Sequence, residues 1–170
     1  MQLIPVSNHE YDTEIRALFS EYIYWVIEQM NNHWNLGLSV EETDAYVNND
    51  IQTLDRLLPP NGRFYLAQVR SEFAGVGCLK QLDKTTGEIK RMFVRNQFRG
   101  QSIGKRILDQ LLADARDLNY NTVFLDSPKF CENAQRLYQS RGFYYIDGAY
   151  PGNENPEEDH YMLNFMRLDL

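Results

Sequence analysis

The sequence has little of what would take a chain outside an ordinary globular fold. It holds two cysteines in 170 residues, Cys78 and Cys131. They show neither metal-site spacing nor a disulfide framework, which fits a reducing, cytoplasmic setting. No stretch approaches the roughly 20 apolar residues that a bilayer requires; the longest run is YIYWVI, residues 22–27. The opening residues MQLIPVSNHEYD lack the basic start and apolar core of a secretory leader, so neither export nor membrane association is expected. Basic charge is short as well: 17 Lys and Arg stand against 24 Asp and Glu, a net charge of −7. That balance disfavours a nucleic-acid partner, whose affinity would come from clustered cations on phosphates. Prolines and glycines, 6 and 10, are too few for a fibrous or low-complexity chain. No internal repeat or linker appears, so residues 1–170 are read as a single domain, long enough to bury most of its apolar surface.

What is present is a regular alternation of patterns. QLIPV reads as a first strand. Ser7 and Glu10 have capping-box spacing, and Ile15, Leu18, Phe19, Tyr22, Ile23, Val26, Ile27 and Met30 follow at helical period. Ser39 and Glu42 repeat the cap before a second helical segment with Val47, Ile51, Leu54 and Leu58 on one face, closed by Pro59-Pro60 and Asn61-Gly62. RFYLAQVR, FAGVGCLKQL and EIKRMFV, joined by short polar turns, read as an antiparallel meander. A helix through Ile103, Ile107, Leu108, Leu111, Leu112, Ala115 and Leu118 and the buried strand TVFLD then form a strand-helix-strand unit, which requires a parallel pair. CENAQRLYQSR is helical with a stop at Gly142, and FYYI and HYMLNFMRLDL close the sheet. The expected class is α/β, with a mixed sheet of α+β character: an antiparallel first part, a parallel middle and helices on both sides.

Ligands of such sheets favour the place where strand direction changes. There lies RMFVRNQFRGQSIGKRIL, residues 91–108, where a strand passes through a basic loop into a helix. Free N–H groups and the dipole of a helix start attract anions. Gly100 and Gly104 allow close approach, and Arg95, Arg99, Lys105 and Arg106 add charge. The loop is neither G-x-G-x-x-G nor a Walker A sequence, which disfavours a dinucleotide oxidoreductase or a common nucleotide hydrolase. On spacing alone, a phosphate site and a plain turn with a solvated basic face explain it equally well.

The loop resembles motif A of the GCN5-related N-acetyltransferases, Q/R-x-x-G-x-G/A, with Arg99 first and Gly104 last. AQRLYQSRGF, residues 134–143, resembles the family's A-x-x-L-Y-x-x-x-G-F segment. The two motifs stand in the family's order, and the resemblance extends over essentially the whole chain. It implies about seven strands in a centrally splayed sheet with about four helices. It also implies acetyl-CoA as co-substrate, no metal, and acetyl transfer to an amine by direct attack in a ternary complex. Two positions depart from the pattern: Ser102 replaces the central glycine of motif A, and Cys131 stands where many members have Asn. Serine fits if Ser102 has negative φ and helical geometry, and that is the expectation.

By this resemblance the pyrophosphate rests on the amides of Gln101, Ser102, Ile103, Gly104 and Lys105, with Arg99 and Gly100 beside them. The pantetheine pairs with the strand edge at Met92, Phe93 and Val94, and Cys131, Ala134 and Arg141 complete the cofactor contacts. Tyr138 matches the tyrosine placed beside the sulfur as acid, or else it is only a core ring. Glu88 matches the general-base glutamate of the histone-acetyltransferase branch, or else it is an exposed residue at a hairpin turn; His160 and Asp126 are reserve bases. Tyr24, Trp25, His33, Trp34 and His160, with the acidic run Glu154, Glu157, Glu158 and Asp159, form the expected acceptor wall, suited to a cationic amine. The acceptor expected is a small amine or amino acid, and a homodimer is among the expected assemblies. Acetylation of proteins or peptides, and a non-catalytic acyl-CoA-binding module, are the alternatives.

Overall fold

The computed structural model describes residues 1–170 and contains seven strands and four helices. The strands are β1 (Gln2–Val6), β2 (Gly62–Val69), β3 (Glu72–Gln81), β4 (Thr86–Val94), β5 (Thr122–Pro128), β6 (Tyr144–Ile146) and β7 (Leu163–Asp169); the helices are α1 (Asp12–Trp34), α2 (Val40–Gln52), α3 (Ile103–Asp117) and α4 (Glu132–Gln139). One sheet runs in the order β1-β2-β3-β4-β5-β7-β6. Every neighbouring pair is antiparallel except β4 and β5, which are parallel. The mixed sheet expected from the sequence is the one observed.

Strand alternation divides the core between the two faces. Ile15, Leu18, Phe19 and Val47 of α1 and α2 pack on Phe64, Leu66, Val76 and Cys78. On the opposite face, Ile103, Ile107, Leu108 and Leu111 of α3 pack with Ala67, Ala74 and Leu79. Burial of each large side chain contributes roughly 1.5–3 kcal/mol. Helix α3 crosses β3 so closely that a Cβ at Gly77 would lie 2.4 Å from Ile107 Cγ2 and 2.6 Å from Met92 Sδ. No helix is long and apolar enough to cross a membrane.

Helix ends show where local signals succeeded and failed. The Ser39–Glu42 capping box forms, with Ser39 N–H donating to Glu42 Oε2 at 2.8 Å and Glu42 N–H donating to Ser39 Oγ at 3.2 Å. The Ser7–Glu10 box does not form. Asn8 instead caps a 3-10 turn at His9–Tyr11 by accepting from Glu10 N–H, and α1 starts after that turn. Helix α2 ends at Gln52 rather than continuing to Leu58; a 3-10 turn at Leu54–Arg56 takes over and still buries Leu54, Leu57 and Leu58. Apolar spacing is satisfied by either backbone, so it could not mark the change.

Two irregularities open the centre of the sheet. Strands β4 and β5 pair only from Thr86 opposite Thr122 to Glu88 opposite Phe124. Beyond that, β5 continues against β7 while β4 continues against β3. In the β3–β4 ladder the register shifts between Val76 opposite Phe93 and Cys78 opposite Lys90. Arg91 takes the extra position of this bulge with φ 55°, and its guanidinium is held bidentately by Asp50 of α2. The result leaves the β4 edge from Ile89 onward without a strand partner.

Candidate active site

The separation of β4 from β5 forms a cleft of about 610 Å³. Its walls include Ile89 to Val94 of β4, the loop and first turn of α3, Asp126 to Pro128 of β5, and Cys131, Ala134, Leu137 and Tyr138 at α4. Met92, Phe93, Val94, Arg99, Gly100, Ser102, Ile103, Gly104, Lys105, Cys131, Ala134, Tyr138 and Trp25 from the sequence reading all line it.

The basic loop is built to expose backbone N–H groups. The first helical bond of α3 runs from Arg106 N–H to Ser102 O at 3.1 Å, so the amides of Ile103, Gly104 and Lys105 have no partner within the helix. Gly100 and Ser102 both have positive φ, 77° and 60°, and such left-handed residues curve consecutive amides into an anion-binding concavity. Ser102 therefore departs from the helical, negative-φ geometry expected of it: it is the left-handed N-cap of α3, with no side-chain cap bond. A non-glycine residue there carries strain of order 1–2 kcal/mol. Ser102→Gly is accordingly expected to raise unfolding stability by up to about 1 kcal/mol, the relief being partly offset by chain entropy, while acetyl-CoA affinity stays unchanged; denaturant melts and calorimetric titration check both.

Gly104 is not required by the protein's own packing. A Cβ there would meet Leu137 Cδ2 and Val94 Cγ2 at 3.6 Å, ordinary contact distances. The free amides, the unpaired β4 edge and the cations Arg99 and Lys105 together fit a ligand with an anionic end and an amide-bearing arm.

Tyr138 is buried, 6% exposed, with its ring edge-on to Phe143 at 6.0 Å. Burial, with smaller effects from Tyr22, Cys131 and Asp126, raises its phenol far above the ordinary range, so it stays protonated at every functional pH. Tyr138 lines the cleft. Burial also pushes the Cys131 thiol up to about 11, against the opposing effects of Ser127 and Arg99.

Other predicted residues lie elsewhere. Glu88 is neither exposed nor in the cleft: it is 0% exposed, and Tyr150 OH and Lys90 Nζ donate to its Oε1 at 2.7 and 3.0 Å. Gln101 lies off the cleft wall, and Arg141 is paired with Asp109 at 2.6 Å. Tyr24 points away and donates to Asp44 at 2.7 Å. His160 Nε2–H donates to Asn155 O at 3.1 Å, with its ring edge-on to Phe165. Trp34 stands one ring back from the cleft, against Phe130 at 5.8 Å; Phe130 also meets Trp25 at 5.8 Å and stacks on His33 at 5.1 Å. The guanidinium of Arg99 lies 5.5 Å over Trp25. Phe130, Tyr22 and Arg91 were missed as lining residues; YIYWVI marked Tyr22 as a helix-core position, and nothing local marked the other two.

Within the acidic run, Glu154 is not the free anion expected of it. Glu154 is bound by Lys80 at 2.7 Å, Arg56 at 2.9 Å and Lys90 at 3.3 Å. Burial would raise its carboxyl, but the Lys80 bond and the charges of Lys90, Lys80 and Arg56 prevail and hold it at about 2. The folded-state value is depressed, so this stabilisation is present above about 4.5 and lost as pH falls towards about 2. With 41% of the side chain exposed, solvent screening reduces the gain to roughly 1 kcal/mol. Glu154→Gln should lose about that much in urea melts at pH 7, and the difference from wild type should vanish near pH 2.

The sequence matches the Acetyltransferase (GNAT) family over residues 20–143. It is 31% identical over 105 residues to the N-acetyltransferase YsnE of Bacillus subtilis, covering 61% of this chain and 70% of that protein. It is 37% identical over 83 residues to an N-acetyltransferase of Dictyostelium discoideum, covering 49% of this chain and 36% of that one. With mouse N-acetylaspartate synthetase it shares 31% identity over 113 residues, 66% of this chain and 35% of the mouse protein. The chain thus spans only about a third of the length of the latter two. The crystal structure of PaiA N-acetyltransferase from Thermoplasma acidophilum in complex with coenzyme A superposes with a TM-score of 0.72 over 100% of both chains at 14% identity, a likeness of fold.

Proposed function

The chain belongs to the GNAT acetyltransferase family, and from that premise we propose that it uses acetyl-CoA for N-acetylation and that its acceptor is the primary amine of a small molecule or amino acid. The observation that supports this reading is the cleft itself, where a phosphate cradle, an open strand edge and a phenol converge at the gap between β4 and β5. Acetyl-CoA supplies an activated thioester. Its pyrophosphate is held by the amides from Ser102 to Lys105 with Arg99, and its pantetheine arm by the edge at Met92 to Val94. A β4 amide near Met92 polarises the thioester carbonyl.

The amine attacks this carbonyl directly, forming the C–N bond and expelling the thiolate, which receives a hydrogen bond and its proton by way of Tyr138. An acetyl-cysteine route is disfavoured because burial keeps the Cys131 thiol protonated at neutral pH. The aromatic group Trp25, His33, Trp34 and Phe130 borders the acceptor side, and a name such as N-acetylaspartate synthetase among the relatives supports amino acids as the first acceptors to try. Thiol release from acetyl-CoA across a panel of amines, amino acids and peptides tests the reading. Turnover confined to peptides would assign a protein acetyltransferase, and acetyl-CoA binding without turnover a non-catalytic module.

A further inference from the structure

Glu88 has the sequence position of a general base and a location from which it cannot touch an acceptor. Its Oε1 is occupied by Tyr150 and Lys90, and its buried Oε2 has no hydrogen-bond partner, with Lys80 Nζ 3.9 Å away. Tyr150 connects it to the cleft. The same hydroxyl lies 3.0 Å from Oδ2 of Asp126, which lines the cleft. Asn153 and Asn155 each donate to that Oδ2 at 2.9 Å. Three donor groups therefore converge on one oxygen of Asp126, while Oδ1 has no hydrogen-bond partner in the protein and is not buried away from solvent.

We infer that Asp126 takes the proton from the acceptor amine, and that Tyr150, backed by Glu88, is the positioning residue that holds Asp126 for this step. This rests on amine acetylation as proposed above. The ammonium N–H bond breaks, an O–H bond forms at Asp126 Oδ1, and the freed lone pair of the amine forms the C–N bond as the C–S bond breaks. The second amine proton leaves with the sulfur as free thiol, and Asp126 later returns its proton to solvent.

The phenol has one proton for two carboxylates. It can donate to Oδ2 of Asp126, which Asn153 and Asn155 also serve, or to Oε1 of Glu88, which Lys90 also serves, so each of these two oxygens keeps a donor whichever way the phenol turns. The ring stays in place during this turn, stacked on Phe124 at 4.8 Å and edge-on to Phe165 at 6.1 Å. Lys80, Lys90 and Glu154 surround Glu88 on the sheet side, and Tyr22 and Tyr138 line the same cleft as Asp126. The loop carrying Tyr150, Asn153 and Asn155 is strapped to the sheet by the Glu154 ion pairs.

Steady-state kinetics on the full chain with an accepted amine test this. Asp126→Asn should lower kcat by about 10²–10⁴-fold with acetyl-CoA affinity unchanged. Tyr150→Phe keeps the stacked ring and should lower kcat by about tenfold without raising KM for acetyl-CoA, roughly the loss of one hydrogen bond to a charged group. Tyr150→Phe combined with Glu88→Gln should be no slower than Tyr150→Phe alone, because Glu88 acts through the phenol; two independent structural defects would multiply. Wild-type kcat in Asp126→Asn overturns the inference, as does a Glu88→Gln loss far larger than that of Tyr150→Phe. An inactive wild type across the whole panel would instead remove the amine reading itself, before any variant is compared.

Discussion

Gly104→Val is expected to abolish acetyl-CoA binding while leaving the protein folded. The reasoning separates what the fold needs at this position from what the ligand needs. A Cβ at Gly104 touches no protein atom closer than 3.6 Å, and the residue does not have positive φ, so neither packing nor backbone strain demands glycine. Its neighbours Ile103 and Lys105 share its free amides at the start of α3, and branched carbons on Cβ would extend into the cleft in front of them. Hydrogen bonds to a charged group are worth about 1.5–3 kcal/mol each, so losing two lowers affinity by at least about 100-fold. Calorimetric titration with acetyl-CoA, beside a melting curve showing a folded variant, measures this. Normal binding by Gly104→Val would mean that the loop is only a turn.

The second large effect is expected at Tyr138. Tyr138→Phe should lower kcat by about 10²–10⁴-fold, the range of acid–base catalysis, with acetyl-CoA affinity nearly unchanged. The hydroxyl makes no hydrogen bond to the protein, while the ring packs against Phe143 and the α3 core. Removing the oxygen therefore leaves the packing intact, and stability should change by no more than about 0.5 kcal/mol. Stopped-assay kinetics at saturating acetyl-CoA decide the matter. An unchanged rate would return Tyr138 to the core and leave the departing sulfur without a protein donor.

The fold was legible in the sequence wherever one periodicity ruled out the others. The meander β2–β4, the α3 stripe and the strand TVFLD needed only alternation, period and short turns, and all seven strands and four helices occur in the expected order, although His160 to Met162 of the expected closing strand fall in a 3-10 turn at Glu157–Met162 and β7 begins at Leu163. Legibility ended where two backbones satisfy the same pattern. Leu54 and Leu58 are buried equally well by a 3-10 turn as by a longer α2, and Asn8, adjacent to Ser7, captured the first cap. Ser102 was misjudged because a non-glycine residue is ordinarily kept out of the left-handed region, which here the loop imposes.

The cleft was legible as motifs and its far side was not. Arg99 to Lys105 and Ala134 to Tyr138 are contiguous stretches whose spacing carries their chemistry. The Glu88–Tyr150–Asp126 connection joins residues 62 and 24 positions apart, and nothing in a loop rich in turn residues announces that its tyrosine reaches the sheet centre. Tyr24 and Trp25 are adjacent on α1, yet one faces Asp44 and the other the cleft, a distinction that depends on where α2 and the loop before α4 lie.

The central claim is direct acetyl transfer from acetyl-CoA to an amine within one cleft. Initial rates of thiol release, measured while both acetyl-CoA and an accepted amine are varied, test it most directly. Direct attack predicts intersecting double-reciprocal lines and a product heavier by one acetyl group on nitrogen. Parallel lines, with an acetyl group recovered on the protein before the amine is added, would contradict it.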